Sequence, residues 1–133
     1  MSTIFTNIIE KKWHAHIIAE NETHIAFLDI YPTVPGHTLV LPKKETNYFF
    51  DLPDKEMASL MQFTKKIAHA IKKTIPCKRI ALSILGLEVP HVHIHLLPIH
   101  TEKDLHNSKK KEKAADDQLL KIATSIKNNL KII

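Results

Sequence analysis

His91, His93 and His95 alternate with Val92, Ile94 and Leu96 in the run HVHIHLLP, which ends at Pro98. On an extended strand successive side chains leave opposite faces, so this run sets three imidazoles in one row and three aliphatics against a core. Pro98 is expected to end the strand, because proline has no N–H to give to a sheet ladder. Imidazole supports two kinds of chemistry near neutral pH. As a neutral ring it ligates transition metals, and two histidines from one strand with a third ligand from elsewhere make an open zinc site. It is also a nucleophile and a general acid–base, so a cluster can attack phosphorus and protonate the group that leaves. A wet, idle polar face is the third reading, and three histidines in register opposite an apolar face weigh against it.

The elements that must position this row follow from periodicity. Ser2 or Thr3 is suited to cap a short helix whose Ile4, Phe5, Ile8 and Ile9 share one face. Trp13 to Ala19 and Ile25 to Ile30 read as two strands joined by a polar turn through Asn21, Glu22 and Thr23. His14 and His16 fall on one face of the first strand and are expected to be a solvent-facing pair, with a surface metal site as the alternative. Asp29 closes the apolar run IAFLDI, where a carboxylate can accept from two ribose hydroxyls or cap the turn into Tyr31 and Pro32.

Pro32, Pro35 and Gly36 then break the chain before a third strand, His37 to Leu41, ended by Pro42. A long helix follows, with Asp51 or Asp54 as its cap, Pro53 in its first turn, and a core stripe of Met57, Leu60, Met61, Thr64, Ile67, Ala68 and Ile71. Arg79 to Ile84 reads as a fourth strand, leading through Leu85 and Gly86 to the histidine strand, and Gly86 permits close approach of backbone to a phosphate. His100 to Lys113 reads as a polar loop, and from about Ala114 the spacing of Leu119, Leu120, Ile122, Ala123, Ile126 and Leu130 predicts an amphipathic helix. The expected fold class is α+β: an antiparallel sheet, one main helix packed on it, and a C-terminal helix.

Composition narrows the function classes. At 133 residues and 44% hydrophobic content, residues 1–133 are expected to form one domain. A single cysteine, Cys77, rules out an intrachain disulfide and suits a reducing, cytoplasmic compartment. No signal peptide or apolar run long enough to span a bilayer is read, so no membrane partner is expected. The net charge of +5 favours anionic partners. The run Lys109 to Lys113 nevertheless reads as a solvated face, and no zinc finger, paired RNA-binding aromatics or GxxG clamp points to specific nucleic-acid binding.

The run HVHIHLLP resembles the signature of the histidine triad (HIT) superfamily of nucleotide hydrolases and transferases. The segments IFTNII, AFLDI and PGHTLVLPK are similar to that family's other signatures, in the same order, so the resemblance covers Thr3 to about Ile99. It implies a HIT-like fold and hydrolysis or transfer at the α-phosphate of an adenylated substrate, an AMP phosphoramidate or mixed anhydride. His93 would attack phosphorus to form a covalent nucleotidyl-histidine, His95 would donate a proton, and His91 and His37 would orient the cluster. His37 is expected to hold His93 in the tautomer needed for attack. By the same resemblance Phe5, Ile8 and Ile30 would lie against the base, Asp29 would hold the ribose, and Phe27 would belong to the same nucleotide site.

Ser83 stands near the family's amide position, and Gly86, Leu87 and Glu88 replace a longer polar loop, their backbone amides offering anion contacts. Leu87 and Glu88 lack the side-chain donors of that loop, which keeps two alternatives open: a dinucleoside polyphosphate hydrolase and a non-catalytic purine-nucleotide-binding protein. Many bacterial relatives carry a zinc-binding Cys-x-x-Cys pair where this chain has Thr3 and Thr6, so neither a metal nor another cofactor is expected. Proteins of this size in the family are homodimers, and the same is expected here.

Overall fold

The computed structural model describes residues 3–106 and 112–130; the expected Ser2 cap and residues 109–111 of the lysine run lie outside them. Thr3 caps helix α1 (Ile4–Ile9): its hydroxyl accepts from the Thr6 amide at 3.3 Å, and the Thr6 hydroxyl accepts from the Thr3 amide at 3.1 Å. Strands β1 (Ile17–Glu20), β2 (His24–Leu28) and β3 (Thr38–Pro42) follow. Helix α2 (Asp54–Thr74), strands β4 (Arg79–Ser83) and β5 (Ile94–Ile99) and helix α3 (Asp116–Leu130) complete the fold. Pro53 occupies the N-cap position of α2 instead of its first turn, and Asp54 and Glu56 supply the negative charge that the helix start favours.

The five strands form one antiparallel sheet in the order β1-β2-β3-β5-β4. Its alternation sorts the side chains into two layers. Ala26, Leu28, Val40, Ile94 and Leu96 face α2 and α3 and form the larger core with Leu60, Ile67, Ile71, Leu119 and Ile126. Ile25, Phe27, Leu39 and Leu41 face the other way and pack with Phe5 of α1. Because Leu39 pairs with both Phe27 and His95, and His95 with Ser83, those side chains share the α1 face.

Most strand boundaries differ from the sequence reading by a residue or two, and three differences have a physical cause. The first strand begins at Ile17 instead of Trp13, with an irregular register between Ile17 and Ala19. The histidine strand begins at Ile94, because the amides of His91 and Val92 bond to the carbonyls of Val89 and Thr46 and not to a strand ladder. Pro98 lies within β5, opposite Ile80, and does not end it. The Ile99 carbonyl accepts from the Lys78 amide, so the Pro98 nitrogen points to the other side of β5, where pairing with β3 has already stopped at Leu96. No ladder bond is lost there.

Two features give the fold testable sensitivities. Gly36 has φ +89°, and a Cβ built on it would stand 3.0 Å from Ile75 Cγ1 and 3.2 Å from Pro98 Cγ. Gly36→Ala is therefore expected to lower stability by at least about 1–2 kcal/mol through the left-handed backbone alone, read as a reduced urea midpoint. An unchanged midpoint would refute the strain. Burial also lowers the pKa values of His24, stacked on Phe63, and of His91. Below the ordinary imidazole value of about 6.5 the unfolded chain takes up protons that the folded chain refuses, so stability falls as pH drops. The urea midpoint should decrease between about pH 7.5 and about pH 5.5, and less steeply in His24→Gln.

Candidate functional site

The histidine row is not an open strand face. His91 is fully buried and His93 is 7% exposed, because α1 lies over them: the Phe5 ring sits 4.8 Å from that of His93 and 6.2 Å from that of His91, centroid to centroid. His95 is half-buried, with its ring 4.8 Å from that of His93. Val92, Ile94 and Leu96 point into the larger core, as the alternation requires.

Main-chain groups decide which ring nitrogen carries a proton. His93 Nδ1 lies 2.7 Å from the His91 carbonyl, which can only accept, so Nδ1 holds the hydrogen and the neutral ring keeps its lone pair on Nε2. His91 Nε2 likewise donates to the Pro42 carbonyl at 2.8 Å, and burial lowers the pKa of this ring, which keeps it neutral. The third bond runs in the opposite sense. The Thr33 amide donates to His37 Nδ1 at 3.1 Å, so His37 Nε2 carries the hydrogen and donates to His95 Nδ1 at 2.9 Å. The hydrogen of a neutral His95 is thereby directed to its Nε2.

This corrects one expectation. His37 orients His95 and not His93, since Leu39 pairs with His95 across the sheet and His37, two residues earlier on β3's lead-in, shares its face. His93 takes its tautomer from the backbone two residues before it. Thr33 was missed, because it acts through its backbone N–H on a ring four residues on, which leaves no mark in residue type.

All the residues expected to hold a nucleotide except Glu88 line one of two recesses, neither of which is lined by His91, His93 or His95. Phe5, Ile8, Phe27, Asp29 and Ile30 line an apolar cleft of about 210 Å³ together with Ile4, Trp13, His14 and Leu39. Trp13 and His14 were not anticipated there. Asp29 Oδ1 accepts from the Tyr31 amide at 2.8 Å, which is the turn-capping role, while Oδ2 lies 3.7 Å from His37 Nε2. One carboxylate thus both caps the turn and borders the cleft. Ser83, Gly86 and Leu87 line the second recess with Tyr48, Phe50 and Leu85. Ser83 is paired with His95, whereas Leu87, 89% exposed, and Glu88 stand out in solvent, so the structure does not bring these two side chains to the histidines. Gly86 has φ +69°, a conformation that favours glycine.

Two groups among the described residues have metal-ligand composition: Asp29, His37 and His95 beside the row, and His14, His16 and Asp116 away from it. Thr3 and Thr6 do not suit zinc. Their hydroxyls are joined in the α1 cap, Thr6 also donates to Glu45 Oε1 at 2.7 Å, and neither offers the deprotonated sulfur that zinc selects. His16 departs from the solvent-facing expectation: it is buried and bonded to Asp116. Among the described residues no helix is long and apolar enough to cross a membrane.

A family model, HIT domain, matches residues 10–102. The adenosine 5'-monophosphoramidase of Schizosaccharomyces pombe is 34% identical over 104 residues, which cover 77% of this chain and 78% of that protein. The enzyme of the same name from Saccharomyces cerevisiae is 37% identical over 101 residues, covering 75% of this chain and 64% of the yeast protein. A HIT-like protein from Bartonella henselae, described as involved in cell-cycle regulation, superposes with a TM-score of 0.82 at 26% identity over 96% of both chains. Matched from residue 10 to residue 102 by the family model, and sharing its fold, the chain belongs to the HIT-domain family.

Proposed function

We propose that the chain is a nucleotide hydrolase or nucleotidyl transferase acting at the α-phosphorus of an adenylated substrate, an AMP phosphoramidate or a mixed anhydride of AMP. The observation that carries this reading is the 2.7 Å bond from His93 Nδ1 to the His91 carbonyl, which puts the lone pair of the neutral ring on Nε2. A nucleophile on phosphorus needs that lone pair. In the first step Nε2 bonds to phosphorus and the bond from phosphorus to the leaving nitrogen or oxygen breaks, the leaving group taking a proton from His95 Nε2. In the second, water bonds to phosphorus, the N–P bond breaks, AMP departs and the water proton returns to His95. The adenine would lie in the cleft lined by Phe5, Ile8, Phe27 and Ile30, with Asp29 toward the ribose. The names of the two yeast relatives, adenosine 5'-monophosphoramidases, favour the phosphoramidate.

A metal-dependent hydrolase is the second reading, favoured by the grouping of Asp29, His37 and His95 within 4.8 Å. An ion there would have to displace the His37–His95 hydrogen bond. The same proposal includes a homodimer. Strand β4 lies at the sheet edge, and Leu82, Leu85, Leu87 and Phe50 beside it are exposed, a patch suited to a second copy of the chain.

Hydrolysis of a fluorogenic adenosine phosphoramidate tests the chemistry. His93→Ala should fall to background, and His95→Ala should lose about a hundred- to ten-thousand-fold, with EDTA changing neither the wild type nor the ranking. Substantial activity in His93→Ala would remove the nucleophile assignment, and activity abolished by EDTA would favour the metal reading. Light scattering tests the assembly: the wild type should have twice the chain mass and Leu82→Lys should shift toward monomer. A monomeric wild type would sink the dimer.

A further inference from the structure

Away from the histidine row, the segment before β1 meets the first turn of α3. Here His14, His16 and Asp116 each bring one ligand atom to within 4.8 Å of the others. His16 is buried, and its Nε2 lies 2.8 Å from Asp116 Oδ1, across 100 residues of sequence. The His14 ring stands edge-on to that of His16, with centroids 4.9 Å apart and planes at 80°. None of the three takes part in the chemistry proposed above. Two imidazoles and a carboxylate, drawn from two distant segments, converge on one point at the protein surface.

We propose that His14, His16 and Asp116 bind one divalent first-row transition ion of the zinc class, with solvent completing its coordination, and that the ion staples α3 to the segment before β1. Donor chemistry selects this class. Two nitrogens and one carboxylate oxygen suit zinc, cobalt, nickel or copper, whereas calcium and magnesium take oxygen ligands. The His16–Asp116 pair needs little adjustment. Tetrahedral bonds of about 2.1 Å separate two ligand atoms by about 3.4 Å, so the His16–Asp116 pair must open by roughly 0.6 Å from 2.8 Å. Asp116, with 82% of its side chain exposed, is free to swing, while buried His16 stays fixed. His14 also lines the apolar cleft, so the ion would join the cleft rim to a helix otherwise fastened there by the Ala114 amide on the Ile30 carbonyl at 2.8 Å.

Cobalt titration of untagged protein, followed by its visible d–d absorption and by competition with zinc, reads the site directly. One ion per chain is expected in the wild type. His14→Gln and Asp116→Asn, both at exposed positions and checked for folding by circular dichroism, should each weaken binding at least about tenfold. His95→Gln should leave it unchanged. Hydrogen exchange of the α3 amides should slow on adding zinc in the wild type and not in His14→Gln. Absence of cobalt and zinc binding in the wild type would overturn the proposal. So would binding that survives both His14→Gln and Asp116→Asn, or that is lost in His95→Gln and thus belongs to the histidine row.

Discussion

Backbone hydrogen bonds decide which nitrogen of each imidazole carries its proton, and the site's chemistry depends on that choice. The carbonyls of His91 and Pro42 can only accept, and the amide of Thr33 can only donate, so each contact fixes whether the ring nitrogen it meets carries a hydrogen. Carboxylates could orient the same rings, but they would also raise their pKa values and favour the charged form. The Pro42 carbonyl pushes the His91 pKa upward too, and at that ring burial outweighs it. The result is two neighbouring rings of opposite polarity, His93 with its lone pair on Nε2 and His95 with its hydrogen there.

Those bonds hold because both faces of the segment from His91 to Leu96 are covered. Beneath it the aliphatic residues of the larger core seat Val92, Ile94 and Leu96, and above it Phe5 closes over His91 and His93. Water competes poorly in such a layer, so each bond is stronger than it would be on an open strand. Only His95, half-buried at the Ser83 side, meets solvent to a larger extent.

Much of this was legible in the chain. A two-residue alternation is a local signal, and the separation of His91, His93 and His95 from Val92, Ile94 and Leu96 follows from it whatever else the fold does. The stripe of α2 and the amphipathic spacing of α3 are local in the same way, and both helices form. What stayed hidden depends on distant partners. Pro98 is tolerated in β5 because pairing with β3 stops short of it. His37 serves His95 because of a strand register, and His16 is buried because Asp116 arrives from 100 residues away. Residue type records none of these, and the solvent-exposed Leu87 and Glu88 show that sequence proximity to the row does not guarantee contact with it.

The strand order carries a consequence for how the chain acquires its shape. β5 is the last strand to be synthesised, yet it lies between β3 and β4, and β4 is joined to the rest of the sheet only through it. Until β5 inserts, β3 and β4 each present an unpaired edge, and the segments that must meet are separated by all of α2. Pairing of β3 with β5 is therefore the non-local step of the sheet, of the kind that slows folding and leaves open edges exposed until it is made. Because His95 lies on that strand and His91 and His93 lead directly into it, a chain in which β5 is unpaired lacks the register that brings His37 to His95.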